Sequence, residues 1–313
     1  MTSRGADEPF AFDEVMSTFQ NPFPEPPELK ITASDGVKLA VRTYRPGGNA
    51  TSKAALLFFH GGGAHATAGY HAMARKLSDE CGITVHTPDL RGHGASQGPR
   101  GDAPSAEQLW RDVDSLLEFV REDNQEEGTP IFLGGHSSGA GLVLNYTTWA
   151  AKPSKGQASA PSTKVPIAGY LLLSPQLGYV AKVDRPDQKP RFARVSVLSF
   201  IVNGLSGGLF LGHSRAVRFN YPQRILDQDP LLVAFNTVNM ANGISPEKPR
   251  KQMEALEAAG DMGLWIGADD ELFIAEKVAG FAKEGKVIPQ QTHVGIVLHA
   301  HKWLGPWLLD RIK

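Results

Sequence analysis

The chain has 313 residues, of which 41% are hydrophobic and 21% are charged, so it is long enough to bury a large core and does not have the composition of a disordered protein. Its 32 basic and 33 acidic residues leave a net charge of −1, which excludes recruitment of nucleic acid or of an anionic membrane by bulk charge. A single cysteine, Cys81, excludes an intrachain disulfide and therefore a disulfide-stapled secreted fold.

The N-terminal segment, residues 1–27, is predicted to be an irregular arm, because it ends in the proline-rich stretch "NPFPEPPE". Its first residues, "MTSRGADEPFAFDE", lack the apolar region of a signal peptide, which predicts a cytoplasmic protein.

The next segment, "LKITASDGVKLAVRTYRP", contains two alternating runs on either side of Asp35-Gly36. This pattern predicts a β-hairpin, because a tight hairpin turn needs residues that tolerate positive φ.

Beyond the hairpin, short apolar runs alternate with helical stretches. The runs lie at residues 54–60, 82–89, 130–135, 168–175, 263–268 and 286–290. Most are apolar throughout, as expected of strands that are buried on both faces. Between two of them, "SAEQLWRDVDSLLEFVRE" predicts an amphipathic helix that begins with a capping box at Ser105 and Gln108. The alternation predicts an α/β fold with a mostly parallel central sheet flanked by helices.

Two segments interrupt this alternation. Residues 152–166 have the composition of a solvated loop, and residues 177–245 separate two core strands without a regular strand-helix pattern. The predicted organisation is therefore a core formed by residues 28–176 and 246–313, with a cap at residues 177–245 inserted after the sixth strand.

The stretch "IFLGGHSSGAG" at residues 131–141 contains a G-x-S-x-G motif between a predicted strand and a predicted helix. Strand, sharp turn and helix form the context in which this motif presents a nucleophilic serine. Gly135 and Gly139 have no Cβ and let the strand and the helix approach each other closely. We therefore predict that Ser137 is a nucleophile at the carboxyl edge of the sheet.

A serine nucleophile needs a general base and an acid that orients it, which follow in this fold in the order Ser, Asp or Glu, His. His293 comes directly after the last predicted strand and is favoured over His299 and His301, which lie near the final helix. For the acid, Asp269, Asp270 and Glu271 follow a strand together, and the pattern alone leaves the choice among them open.

An oxyanion hole needs backbone N–H donors, which are expected at Ser138, the residue after the nucleophile, and in a loop after an earlier strand. The stretch "FFHGGGAH" at residues 58–65 supplies such a glycine-rich loop.

With these motifs the chain resembles the α/β-hydrolase superfamily, and within it the monoacylglycerol lipase and lysophospholipase-like group of the serine aminopeptidase S33 type. The resemblance is carried by "FHGGGAH", "DLRGHGASQG", "GGHSSGA", "DPL", "GADDELF" and "THVGIVLH", which span most of the chain. It implies that Asp270 is the acid, His293 the base and Gly62 the second oxyanion donor, and that Arg91, His93 and Ser96 belong to the scaffold.

The function implied is hydrolysis of a carboxylic ester through Ser137, His293 and Asp270, with no metal or cofactor. The expected substrate is a small ester with an apolar acyl part, and nucleic acid is not an expected partner. A peptidase, a lactone-opening or acyl-transferring enzyme with the same three residues, and a small-molecule receptor on the same fold stay open. The serine at position 137 argues against dehalogenases and epoxide hydrolases, which carry an aspartate there.

The apolar stretch "VSVLSFIVNGLSGGLFLG" at residues 195–212 is too rich in Gly, Ser and Asn to predict a membrane span. Two interpretations stay open for it. It is either an acyl-binding wall or entrance that makes transient contact with lipid, or part of a cap helix pair buried against the core.

Overall fold

A computed structural model describes residues 8–9, 12–13, 25–48, 50–124, 128–151 and 165–312. Most of the predicted N-terminal arm, and all but the last two residues of the predicted loop at 152–166, lie outside these ranges. The predicted division into arm, core and cap stays a prediction.

The strands of the described residues form one large sheet and one small sheet. In chain order they are β1 Glu28–Thr32, β2 Lys38–Tyr44, β3 Ala54–Phe59, β4 Ile83–Pro88, β5 Ile131–His136, β6 Gly169–Leu173, β7 Ala193–Val195, β8 Arg215–Phe219, β9 Phe235–Thr237, β10 Asp261–Gly267 and β11 Gly285–Ile288. The large sheet has eight strands in the order β1-β2-β4-β3-β5-β6-β10-β11, and β7-β8-β9 form the small one. The predicted core strands are therefore present within one or two residues of their predicted bounds.

The large sheet is mostly parallel, as predicted. Only the pairs β1–β2 and β2–β4 are antiparallel, and the remaining neighbours run parallel. The predicted hairpin is confirmed: Thr32 pairs with Lys38, and Gly36 takes a φ of 87° in the turn between them.

Helices cover both faces of this sheet. In chain order they are α1 Tyr70–Cys81, α2 Ala106–Asp123, α3 Ser138–Ala150, α4 Val197–Leu205, α5 Gln223–Gln228, α6 Val238–Ile244, α7 Pro249–Ala259, α8 Ala275–Ala279, α9 Gly295–His299 and α10 His301–Arg311. One hydrophobic cluster lies against α1, α9 and α10, and a second lies against α2, α3 and α7. The capping box of α2 forms in part as predicted, because Ser105 Oγ accepts a hydrogen bond from the Gln108 amide at 3.1 Å.

The segment between β6 and α7 contains the small sheet. Its strands β7, β8 and β9 pair antiparallel with one another, and α4, α5 and α6 lie between or after them. Within the described residues no helix is long and apolar enough to cross a membrane. The cytoplasmic location expected from the N-terminal sequence stays a prediction.

One interpretation of residues 195–212 is wrong: they do not form a helix pair buried against the core. Asn203 is the buried residue of α4, whereas the large apolar side chains of α4 and of the loop after it are mostly exposed. The sequence pattern does not show this, because the segment is apolar on every side and carries no charge that would mark its solvent face.

The "RGHGAS" loop after β4 ties the core together. The Arg91 guanidinium, almost fully buried, donates to Asp112 at 2.7 and 2.9 Å and lies 2.9 Å from Asp35, so it joins α2 to the hairpin turn. Ser96 Oγ accepts from the Ala40 amide and donates to the Asp89 carbonyl. These contacts are structural, as the resemblance implies for this loop.

Candidate active site

Ser137 occupies a sharp turn between β5 and α3. Its φ of 53° and ψ of −118° are unusual for a residue with a Cβ, and such strain is typical of functional turns. The turn is fixed by its backbone, because the Ser137 amide donates to the Leu173 carbonyl and the Ser137 carbonyl accepts from the Gln176 amide, both at 3.0 Å. The serine is therefore held rigidly at the carboxyl end of the central strand.

The glycines on either side of Ser137 leave no room for a side chain. A Cβ on Gly139 would lie 2.5 Å from the Phe59 carbonyl oxygen, and a Cβ on Gly135 would lie 2.4 Å from the Gly139 carbonyl carbon. Strand β5, the start of α3 and the end of β3 thus approach one another as closely as their backbones allow.

His293 and Asp270 lie together at the same edge of the sheet. His293 Nδ1 donates to Asp270 Oδ2 at 2.8 Å, and the two side chains are 4% and 0% exposed. The other carboxylate oxygen of Asp270 accepts from the amides of Leu272 and Phe273, both at 2.9 Å. The carboxylate is therefore immobilised with one oxygen directed at the imidazole.

Asp269 and Glu271, the carboxylates on either side of Asp270, do not contact the His293 ring. Asp269 is exposed, as expected of a solvated turn. Glu271 accepts a hydrogen bond from the His293 amide at 2.8 Å, and burial raises the pKa of its carboxyl. His299 Nδ1 lies 3.1 Å from the Gln291 side chain, and His301 begins α10.

The glycine-rich loop after β3 lies beside Ser137. A Cβ on Gly61 would lie 3.3 Å from Ser137 Cβ, and a Cβ on Gly62 would lie 3.2 Å from Ser138 Oγ. Among the described residues, neither the Gly62 amide nor the Ser138 amide has a hydrogen-bond partner. Two N–H groups next to the serine are thus available to a ligand.

The carbonyl groups of the three glycines in this loop all accept hydrogen bonds. His60 Nδ1 donates to the Gly61 carbonyl at 2.8 Å, Tyr221 Oη donates to the Gly62 carbonyl at 3.1 Å, and the Val233 amide donates to the Gly63 carbonyl at 2.8 Å. Because two of these donors come from the segment between β6 and α7, that segment fixes the peptide planes, and so the N–H directions, of the loop.

Two buried histidines next to the site, His60 and His136, are held neutral. Burial lowers the pKa of His60 to about 3 and lowers that of His136 well below its usual value. The His136 Nε2–H donates to the His293 carbonyl at 2.9 Å, so its Nδ1 accepts from Tyr70 Oη at 2.8 Å. Tyr70 Oη in turn accepts from the Gly61 amide, so hydrogen bonds link the His293 backbone to the glycine-rich loop.

Ser137, His293 and Gly62 line one small cavity of about 70 Å³. Its remaining walls are largely apolar and include residues from three other parts of the chain: Phe12, Phe192, Tyr221, Ile225, Leu232 and Val294. Asp229 is a carboxylate in this lining, and it is engaged by His65 Nε2 at 2.6 Å.

Sequence reasoning missed Tyr70, Tyr221 and Phe12. None of them belongs to a motif, and each reaches the site only through tertiary packing. In the described parts of the chain, no group of three or more His, Cys, Asp or Glu side chains could hold a metal ion.

Comparisons with known proteins give a family match and a solved structure of similar fold. A profile of the family described as "Serine aminopeptidase, S33" matches residues 50–294. The uncharacterized protein YnbC of Escherichia coli is 29% identical over 250 residues, which cover 78% of this chain and 38% of YnbC. The monoglyceride lipase of Saccharomyces cerevisiae is 28% identical over 123 residues, 38% of either chain. The chain thus spans well under half the length of these curated relatives.

A solved structure with the same fold is that of a soluble variant of monoglyceride lipase from Saccharomyces cerevisiae in complex with a substrate analog. It superposes with a TM-score of 0.64 at 18% identity and covers 93% of this chain and 97% of that chain.

Proposed function

Because the chain belongs to the serine aminopeptidase S33 family and has the α/β-hydrolase fold, we propose that it is a serine hydrolase that cleaves carboxylic esters. The observation that carries the proposal is the position of Ser137. It sits on a strained turn and shares a small cavity with His293, which is hydrogen-bonded to the buried Asp270.

The proposed mechanism assigns one role to each group. Ser137 Oγ attacks the ester carbonyl carbon while His293 Nε2 takes its proton, and His293 then returns the proton to the departing alcohol. Water attacks the resulting acyl-enzyme with the same base, which releases the acid. Asp270 keeps the proton of neutral His293 on Nδ1, so Nε2 is free to accept.

Negative charge on the carbonyl oxygen is stabilised by the amides of Gly62 and Ser138. A preorganised donor of this kind contributes about 3 kcal/mol to transition-state stabilisation. Since neither amide has a partner in the described structure, no internal hydrogen bond must break before they bind the oxyanion.

The lining of the cavity favours an ester substrate over a peptide with a free amino terminus. An aminopeptidase must hold a positively charged amino group, which calls for a carboxylate that is not already paired with another side chain. Asp229, the carboxylate in the lining, is bound by His65 and by the Leu231 amide. The apolar walls fit an apolar acyl part instead.

The proposal is tested by initial rates on p-nitrophenyl esters with acyl chains of two to twelve carbons. Ser137→Ala is expected to lower kcat by more than about 10⁴-fold with an unchanged melting temperature. The matched control is Ser78→Ala, which removes a buried hydroxyl that has no hydrogen-bond partner and lies on α1 away from the site.

Three outcomes would contradict the proposal. They are turnover retained in Ser137→Ala, faster hydrolysis of aminoacyl p-nitroanilides than of any ester, and tight ligand binding without turnover by folded wild-type protein. The last outcome would indicate a receptor.

A further inference from the structure

The N-terminal part of the chain contributes an aromatic side chain to the wall of the candidate active site. Phe12 is 4% exposed and lines the same cavity as Ser137 and His293. The centroid of its ring lies 5.6 Å from that of Tyr221, which donates to the Gly62 carbonyl. Phe12 therefore packs on a side chain that holds the glycine-rich loop, although it lies outside the region that matches the family profile.

One guanidinium group anchors the chain on both sides of Phe12. Arg224, in the first turn of α5, donates to Glu8 Oε1 at 2.6 and 2.8 Å and to Asp13 Oδ1 at 2.9 Å. The next residue of α5, Ile225, is 1% exposed and lines the cavity. The ion pairs thus attach Phe12 to the helix that supplies another part of the same wall.

With Phe12 in place the cavity is small. Its volume of about 70 Å³ is little more than that of two water molecules in the liquid, about 30 Å³ each. Pockets that hold drug-sized ligands have about 300 to 1,000 Å³. Asp13 is exposed and the Arg224 side chain is 43% exposed, so the Phe12 ring lies between the cavity and solvent on this side. Removal of the ring would enlarge the cavity by roughly the volume of a benzene molecule.

We infer that Phe12 limits the length of the acyl group that can be bound at Ser137, and that Arg224 is the positioning residue that holds Phe12. This inference rests on the proposed function and narrows its substrates to esters of short-chain acids. The acyl group is the part concerned, because it stays on Ser137 after the alcohol has left. A longer acyl chain overlaps the Phe12 ring, and displacing the ring would break the ion pairs of Arg224 and expose an aromatic side chain to water.

The test compares kcat/KM for p-nitrophenyl esters with acyl chains of two and eight carbons. Wild type is expected to prefer the two-carbon ester. In Phe12→Ala the ratio of the eight-carbon to the two-carbon kcat/KM should rise by at least about tenfold, since apolar pockets discriminate by about this factor or more per methylene. Phe12→Leu, which keeps a buried apolar side chain and guards against misfolding of the alanine variant, should raise the ratio by a smaller factor. Phe12→Trp should lower it.

Arg224→Gln tests the positioning role. It should raise the same ratio about threefold, because the segment around Phe12 loses its ion pairs. Since these ion pairs are partly exposed, 0.5 M NaCl should also raise the ratio in wild type but not in Arg224→Gln. The matched control is Arg111→Gln, which removes the ion pair of Arg111 with Glu107 on α2 and should leave the ratio unchanged.

Phe119→Ala is the control for the loss of a packed aromatic ring. Phe119 lies on α2, packs against the core and does not line the cavity, so its removal should lower stability without changing the ratio. Three results would overturn the inference: an equal fall of kcat/KM for both esters in Phe12→Ala, a wild-type preference for the eight-carbon ester, or a change of selectivity that depends on the length of the alcohol and not of the acyl chain.

A second measurement needs no ester turnover. Ser137 Oγ displaces p-nitrophenolate from p-nitrophenyl methylphosphonate or octylphosphonate, with its proton passing to His293, and the phosphonate stays on the serine. The ratio of the two labelling rates should rise in Phe12→Ala as the ratio for the esters does. Labelling of wild type without ester hydrolysis would reject the proposed function, and the labelling ratio would still decide the role of Phe12. Ester hydrolysis with an unchanged ratio in Phe12→Ala would reject only the role of Phe12.

Discussion

At the scale of single residues, Asp270 and Asp269 form a natural comparison. Asp270 is buried and accepts from His293 and from two backbone amides, whereas its neighbour Asp269 is exposed. Replacing Asp270 by Asn keeps the shape but offers an N–H donor to one of these groups, which favours the wrong tautomer of His293. We expect kcat on an ester substrate to fall by about 10³ to 10⁴-fold.

Asp269→Asn is the control and should change kcat less than about twofold. Equal losses in the two variants would mean that the acid was assigned to the wrong carboxylate. Glu271 provides a further comparison, because it contacts the His293 backbone and not its ring. Glu271→Gln should therefore affect stability more than the rate.

Motifs predicted the residues that sit where the chain turns at the sheet edge, because the turn itself demands particular residue types. Ser137 between two glycines is such a case. The pattern could not choose among Asp269, Asp270 and Glu271, because burial and direction depend on the fold of the following loop. Tyr221 could not be found at all, since its contact with Gly62 joins residues 159 positions apart.

At the scale of elements, a close approach between strand and helix backbones involves Gly139, in the first turn of α3. A Cβ there would overlap the carbonyl oxygens of Phe59 and His60, which belong to backbone that cannot move without disturbing β3. We expect Gly139→Ala to lower the free energy of unfolding by at least about 3 kcal/mol, measured by urea denaturation.

Gly204→Ala is the matched change in α4. Nothing lies within 4 Å of a Cβ at that position. The free energy of unfolding of this variant should therefore rise by up to about 1 kcal/mol, because alanine has a higher helix propensity than glycine. If Gly139→Ala had the same free energy of unfolding as wild type, the close approach of strand and helix described above would be contradicted.

The core strands were predictable because their apolar runs are short, regular and bounded by turn residues. The segment between β6 and α7 was not, because its strands β7 and β9 are only three residues long and its helix α4 is apolar on all sides. Local patterns carry no signal for elements whose partners are distant and whose exposed face is not polar.

At the scale of the whole molecule, stability depends on buried neutral histidines in separate parts of the fold. Burial lowers the pKa of His60, His86 and His93 to about 3, and that of His136 is also lowered strongly. Below pH 6.5 the unfolded chain binds a proton at each of these residues while the folded chain does not. The free energy of unfolding must therefore fall as the pH falls through this range, by up to about 1.4 kcal/mol per pH unit for each histidine.

The measurement is the urea midpoint between pH 7.5 and pH 4.5, for wild type and for His86→Gln. Glutamine can still pair with Thr43, which His86 Nδ1 contacts at 3.0 Å, but it cannot be protonated. In the variant, the free energy of unfolding should change less steeply with pH, by the amount that corresponds to about one proton fewer taken up on unfolding. Because buried carboxyls with a raised pKa, such as Glu271, act in the opposite direction, the difference between the two slopes isolates one histidine. Identical slopes would mean that His86 titrates alike in the folded and unfolded chains, contrary to its complete burial.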